Sequence, residues 1–179
     1  MAKYALCVVA LLLGGCATDM SRFNVEREAI FVVRVLPTDR QVTVFPGSVV
    51  DGEFKSSLFT PARFTGMPAA GYVVGKAKAG ETIAITTLGN RWVCADGSTV
   101  VFQLDAGEVA YVGDVVYEPT EESFKVVEHE MQLEAAREFM GRWHPQWVGR
   151  LGPIEHQVLP APPGECPTPG PTYIYIPVG

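Results

Sequence analysis

Cys16 is the residue whose neighbours specify a chemistry. Leu13-Gly14-Gly15-Cys16 is a lipobox-like sequence, with a thiol placed directly after two glycines that let a processing enzyme approach the backbone. Lys3 supplies a basic start, and Tyr4 to Leu13 form an uninterrupted apolar run. A secretory signal needs a positive start, about 7–15 apolar residues and small residues at the cut. A membrane-spanning helix needs about 20 apolar residues, more than this run offers. Residues 1–15 are therefore expected to be a lipoprotein signal peptide, with Cys16 the acceptor of diacylglycerol and residues 16–28 a lipidated tether. Each buried methylene contributes about 0.8 kcal/mol, so two or three palmitate-type chains anchor a protein permanently. Ala17, rather than Asp, follows the cysteine. By resemblance to enterobacterial sorting signals this implies the outer membrane, with the domain facing the periplasm.

The other cysteines divide by place. Cys7 leaves with the signal, so Cys94 and Cys166 remain. In an oxidising envelope compartment such a pair is expected to form a disulfide, the alternative being two free buried thiols. A bridge of that span would stabilise the fold by roughly 4 kcal/mol in the chain-entropy model. No C-x-x-C is present, which argues against a thioredoxin-like redox role.

Acid–base and metal chemistry find little support. His129, His144 and His156 stand in none of the H-x-x-x-H, H-E-x-x-H or C-x-x-C spacings, so no metal ligand is expected. His129 is read near a helix start and His144 just after its end, in solvated or capping roles. No G-x-S-x-G elbow, P-loop or G-x-G-x-x-G occurs. Asp51, Asp96, Asp105, Asp114, Glu118, Glu121 and Glu122 could pair as acid and base only if two stood about 5–9 Å apart across a cleft. Most sit where turns favour acidic residues anyway. No catalytic residue and no cofactor are expected, and a hydrolase is the weakest of the functional classes considered.

Two aromatic stretches offer binding chemistry instead. Trp143-His144-Pro145-Gln146-Trp147 carries two of the three tryptophans, whose rings could stack on sugar or anchor a protein partner. The bland reading has the same rings closing the bottom of the core. Tyr173-Ile174-Tyr175-Ile176 alternates as a strand does and could extend a sheet edge, its own or a partner's. Trp143, Trp147, Tyr173 and Tyr175 are thus the candidate partner-binding residues.

These residues need a scaffold, and the chain reads as mainly β. Ile30 to Leu36 is a strand of β-branched and aromatic residues, Pro37 to Arg40 a turn, and Gln41 to Phe45 a second strand. Residues 48–70 are broken by Asp51-Gly52, Pro61, Gly66 and Pro68, leaving loops and one short strand. Strands are expected over 72–78, 82–88, 91–95, 98–104 and 109–117, with Asp96-Gly97 as a hairpin signal and residues 123–127 as an edge strand. Short strands joined by Gly-bearing turns favour an antiparallel β-sandwich. One helix is expected from about Glu128 to Arg142, with Met131, Ala135, Phe139 and Trp143 along one face and Pro145 as its stop. More than half of the 14 prolines lie beyond Gly152, so residues 148–179 read as a Pro-rich tail after a domain spanning 29–147.

The formal net charge is −6, and no basic run or stripe appears. Nucleic acid is therefore an unsuitable partner, and so is electrostatic attachment to anionic lipid.

Ala106-Gly107-Glu108-Val109-Ala110-Tyr111-Val112-Gly113-Asp114-Val115 resembles a segment of bacterial envelope lipoproteins of uncharacterised activity. In those an Ala-Gly-Glu turn like Ala79-Gly80-Glu81 precedes a strand, and a short helix ending near Pro follows the sheet. The resemblance, over about residues 30–145, implies a prealbumin-like or immunoglobulin-like β-sandwich and transfers no catalytic residue. Together these readings point to a lipid-anchored binding or scaffolding module. Its partners would be the membrane, through Cys16, and an envelope protein or peptidoglycan; a carbohydrate-binding accessory protein is the alternative.

Overall fold

Strands rich in Val, Ile and Phe must hide their apolar faces, and here two sheets hide one face each against the other. The structure is a computed structural model that describes residues 22–57 and 59–161. The first sheet, A, joins β1 (Glu28–Leu36), β5 (Tyr72–Lys78), β9 (Val109–Pro119) and β10 (Phe124–Glu130) in the order β10-β9-β1-β5, with β11 (Leu151–Pro153) also beside β9. The second sheet, B, has the order β12-β8-β6-β2-β3, from β2 (Val42–Val50), β3 (Glu53–Ser56), β6 (Thr82–Leu88), β8 (Ser98–Gln103) and β12 (His156–Pro160). Two short strands complete it: β4 (Phe64–Gly66) pairs with β2 and β7 (Arg91–Trp92) with β6.

The protein is thus mainly β, built of two sheets in a sandwich-like arrangement, with one short helix late in the chain. Pairing in sheet B is antiparallel throughout, whereas β9 runs parallel to both β1 and β11. Phe31, Val33 and Val35 of sheet A meet Val44, Ile85 and Phe102 of sheet B in the central core.

Two bulges set which side chains face that core. In β9, Val32 of β1 lies opposite Tyr111 while Val33 lies opposite Gly113, so one residue is extra. Strict alternation would turn Asp114 inward; the bulge turns it outward with Tyr111 and turns Val115 in. Gly113 has φ +125°, and a Cβ there would collide with the His129 ring. In β10 a second bulge lies between Val126 and Glu128, after which His129 faces inward opposite Val115 while Glu128 and Glu130 face out.

That second bulge corrects the expected helix. Residues 128–130 are strand, and the helix α1 spans Leu133–Trp143. The acidic run Glu128–Glu130 suits an edge strand whose outer side chains meet water as well as it suits a first helical turn. Asp96-Gly97 makes the expected turn, with the Gly97 N–H donating to the Cys94 carbonyl at 2.7 Å. It does not make a hairpin, because β7 and β8 each pair with β6 rather than with each other. Residues 48–70 hold the end of β2, β3 and β4, more strand than expected. The sheets also draw on the expected tail: a 3-10 helix over Pro145–Arg150 leads into β11 and β12.

Candidate functional site

The outer face of sheet A carries the densest polar cluster. Arg34 stands among valines on β1, and its Nη1 donates to Asp114 Oδ2 at 2.8 Å. The Tyr111 hydroxyl donates to the other carboxylate oxygen, Oδ1. Arg34 lies over the Tyr72 ring at 5.8 Å, and Tyr72 stacks on Phe139 of α1 at 4.4 Å. Asp114 is buried, so each partner compensates the cost of its charge. Burial, and then the hydrogen bond to Asp114, push the Tyr111 hydroxyl far above the ordinary tyrosine range. Burial also raises Tyr72, with Asp114 adding to it. The arrangement ties Arg34 and Tyr111 to Asp114 beside α1, while the Arg34 Nε stays buried without a hydrogen-bond partner.

Of the carboxylates singled out in the sequence, only Asp114 joins this cluster. Asp51 caps the β2–β3 hairpin with φ 56°, and Asp96 accepts from Thr120 Oγ1 at 2.7 Å. The roles of Arg34, Tyr72 and Tyr111 escaped sequence reasoning. The available signal was a single arginine inside a run of apolar β residues.

The outer face of sheet B is different. Phe54 lies across it, against Ala84 and Val101, with Leu159 beside them. Its ring occupies the space a side chain at Gly47 would take, so Gly47 is needed for this close approach. Beside this cluster runs a groove of ≈ 370 Å³ lined by Val49, Thr82, residues 101–103 and residues 154–157. Gln103, Gln157, Glu155 and His156 supply its polar character, with one carboxylate among them.

The predicted binding tryptophans part company. Trp143 ends α1 with 61 % of its surface exposed. Trp147, in the 3-10 helix, packs edge-on against Phe23 at 4.9 Å and under the Arg150 guanidinium at 5.6 Å. It closes the core between α1 and sheet A, so the two rings do not form one surface. His144 sits between the helices, where burial lowers its pKa. His129 lies not at a helix start but in β10, where its ring stacks on His156 of β12 with centroids 3.8 Å apart.

Cys94 is buried at a junction of three segments. Ser123 Oγ accepts from the Cys94 N–H at 3.0 Å and donates to the Trp92 carbonyl at 2.6 Å. The Ala161 N–H donates to the Gly97 carbonyl at 3.1 Å, so the last described residue lies beside the same turn. Cys16, Cys166, Tyr173 and Tyr175 lie outside the described residues. Among the described residues no group of three or more His, Cys, Asp or Glu could hold a metal ion. No helix among them is long and apolar enough to cross a membrane.

Comparison with protein-family models, with curated proteins and with solved structures gives no match.

Proposed function

We propose that this chain is a bacterial envelope lipoprotein, anchored in the outer membrane through lipid on Cys16, whose β-sandwich serves as a non-catalytic binding or scaffolding module facing the periplasm. The observation that carries the reading is the sequence Leu13-Gly14-Gly15-Cys16 behind a basic start and an apolar run. The polar groups support a binding role over catalysis. Arg34 and Tyr111 are both engaged by Asp114, and the groove on sheet B is lined by two amides and one carboxylate. Such a surface suits hydrogen bonding to a partner.

A Cys94–Cys166 bridge belongs to the same proposal. Ala161 leaves the sandwich beside the Cys94 turn, and Cys166 follows five positions later. At no more than about 3.6 Å per residue, that stretch spans up to roughly 18 Å, enough to return to Cys94. Carbohydrate or peptidoglycan binding is the second reading, favoured by the exposed Trp143 ring.

Fractionation of cells carrying wild-type protein and Cys16→Ala tests the anchor. The wild type should follow the outer-membrane pellet and the variant should be released; retention of the variant in the pellet would sink the proposal. In-cell crosslinking of the wild type then separates the two roles. Capture of one near-stoichiometric envelope protein supports the scaffold, and capture of peptidoglycan fragments alone, lost with Trp143→Ala, supports the glycan reading.

A further inference from the structure

Two histidines from opposite sheets meet with their ring centroids 3.8 Å apart. His129 lies on β10, the edge of sheet A, and His156 on β12, the edge of sheet B. Directly paired residues share a face. His129 is opposite Val115 and His156 opposite Phe102, both core residues, so both imidazoles point into the space between the sheets. The β10 bulge is what turns His129 that way. Gly113 leaves room for its ring, since any Cβ there would meet it.

We propose that His129 and His156 form an acid-sensitive latch that holds β12 on the sandwich and releases it when the His156 ring takes up a proton. The proposal rests on this geometry alone and stands whether or not the chain carries lipid.

Burial and the facing ring show why the docked state disfavours a charge on His156. His129 Nε2 lies 2.8 Å from the Val112 carbonyl, which only accepts, so Nε2 carries the hydrogen. His156 Nδ1 is sealed from solvent with no hydrogen-bond partner. A charge on His156 would also stand against the His129 ring, whose centroid is 3.8 Å away. Burial first, and the neighbouring His129 second, push His156 below the ordinary histidine range, while a backbone bond at Ile154 opposes them.

No neighbouring carboxylate offsets this. Glu128 and Glu130 of β10 face outward, opposite Val116 and Asp114. Asp114 of β9 is held by Arg34 and Tyr111 on that outer face. From β8 the facing residue is Phe102, followed by the neutral Gln103. Glu155 adjoins His156 along the chain and lines the groove, and Lys125 is exposed nearer the start of β10. No salt bridge joins either ring to an acid among the described residues.

The direction of the response follows. Once β12 is released, its histidine takes up protons near the ordinary value of about 6.5, whereas the docked ring resists. Docking therefore weakens as pH falls below that value. Because His156 and Gln157 line the sheet B groove, release of β12 removes one of its walls.

Hydrogen–deuterium exchange of the full chain, corrected for intrinsic rates, at about pH 7.5 and about pH 5 brackets the ordinary histidine range and tests the latch. In the wild type, amides of β12 and of its partner β8 should lose protection severalfold at the lower pH while β1 and β5 keep theirs. His156→Phe, which keeps a stacked ring without a titrating nitrogen, should abolish the change, and His129→Phe should diminish it. If His156→Phe fails to fold, the wild-type profile and His129→Phe carry the test. Unchanged β12 protection in acid, or the same loss in the phenylalanine variants, overturns the proposal. Loss confined to residues 144–150 would assign the response to His144 and overturn it equally.

Discussion

Both sheets carry apolar side chains on their outer faces, but the chain covers the two faces by different means. Over sheet A, the helix α1 and the 3-10 helix bring Ala136, Phe139, Met140 and Trp147 down onto Ile30, Val32, Val109 and Tyr111. The same face buries Asp114 by surrounding it with Arg34 and Tyr111. Over sheet B the cover is one ring, Phe54, with Ala84, Val101 and Leu159 around it and the groove left open beside them. A helix lays down a continuous apolar stripe, while a curled hairpin delivers single side chains. The first seals a face and the second leaves a surface that a partner can reach.

The sharpest way to break this comparison is to empty one contact on each face. Met140 is wholly buried between α1 and sheet A. Met140→Ala should cost about 4 kcal/mol, within the roughly 2–5 kcal/mol typical of such core truncations. Phe54→Ala should cost about 3 kcal/mol, the low end of the range for buried phenylalanines, because water can enter beside a groove instead of leaving a dry cavity. Denaturant unfolding of the two variants checks both, and equal costs would show that sheet B is as tightly sealed as sheet A.

A smaller effect comes from the Tyr111 hydroxyl. A hydrogen bond to a charged group contributes about 1.5–3 kcal/mol, so Tyr111→Phe should lose about 1.5 kcal/mol at neutral pH. In alkali the comparison changes sign. Tyrosines in the unfolded chain ionise near pH 10, whereas Tyr111 and Tyr72 stay protonated in the fold. Wild-type stability should therefore fall as pH rises above about 10, and Tyr111→Phe should fall less steeply. Part of the slope should survive in the variant, because burial pushes Tyr117, between the sheets, up to about 12. Stability measured against pH for both proteins decides this, and parallel alkaline limbs would remove Tyr111 as their source.

Much of the scaffold was legible because strands and turns declare themselves locally. Runs such as Ile30 to Leu36 and Thr82 to Leu88 have the β-branched content and flanking turn residues that a sheet demands. The helix was legible in its second half, where Phe139 and Met140 pack inward, and misread at its start. Glu128-His129-Glu130 can serve an edge strand or a first helical turn, and only pairing with β9 chooses between them. The tail was misjudged for a similar reason. Prolines at 153 and 160 mark the ends of β11 and β12, short strands that exist because β9 and β8 have edges to receive them. Of the candidate residues, Trp143 and Trp147 look equivalent in sequence, yet one meets solvent and the other closes a core.

What the sequence by itself determined is whatever acts over a few consecutive residues: the β-branched runs that make sheets and the Gly and Pro positions that end elements. Only the tertiary structure decided which way the decisive side chains point. Each bulge adds one residue to a two-residue period and so reverses every side chain beyond it. That reversal carries Asp114 out to Arg34, 80 positions away along the chain, and His129 in to His156. No local pattern records it, because a bulge is settled by the strand on the other side.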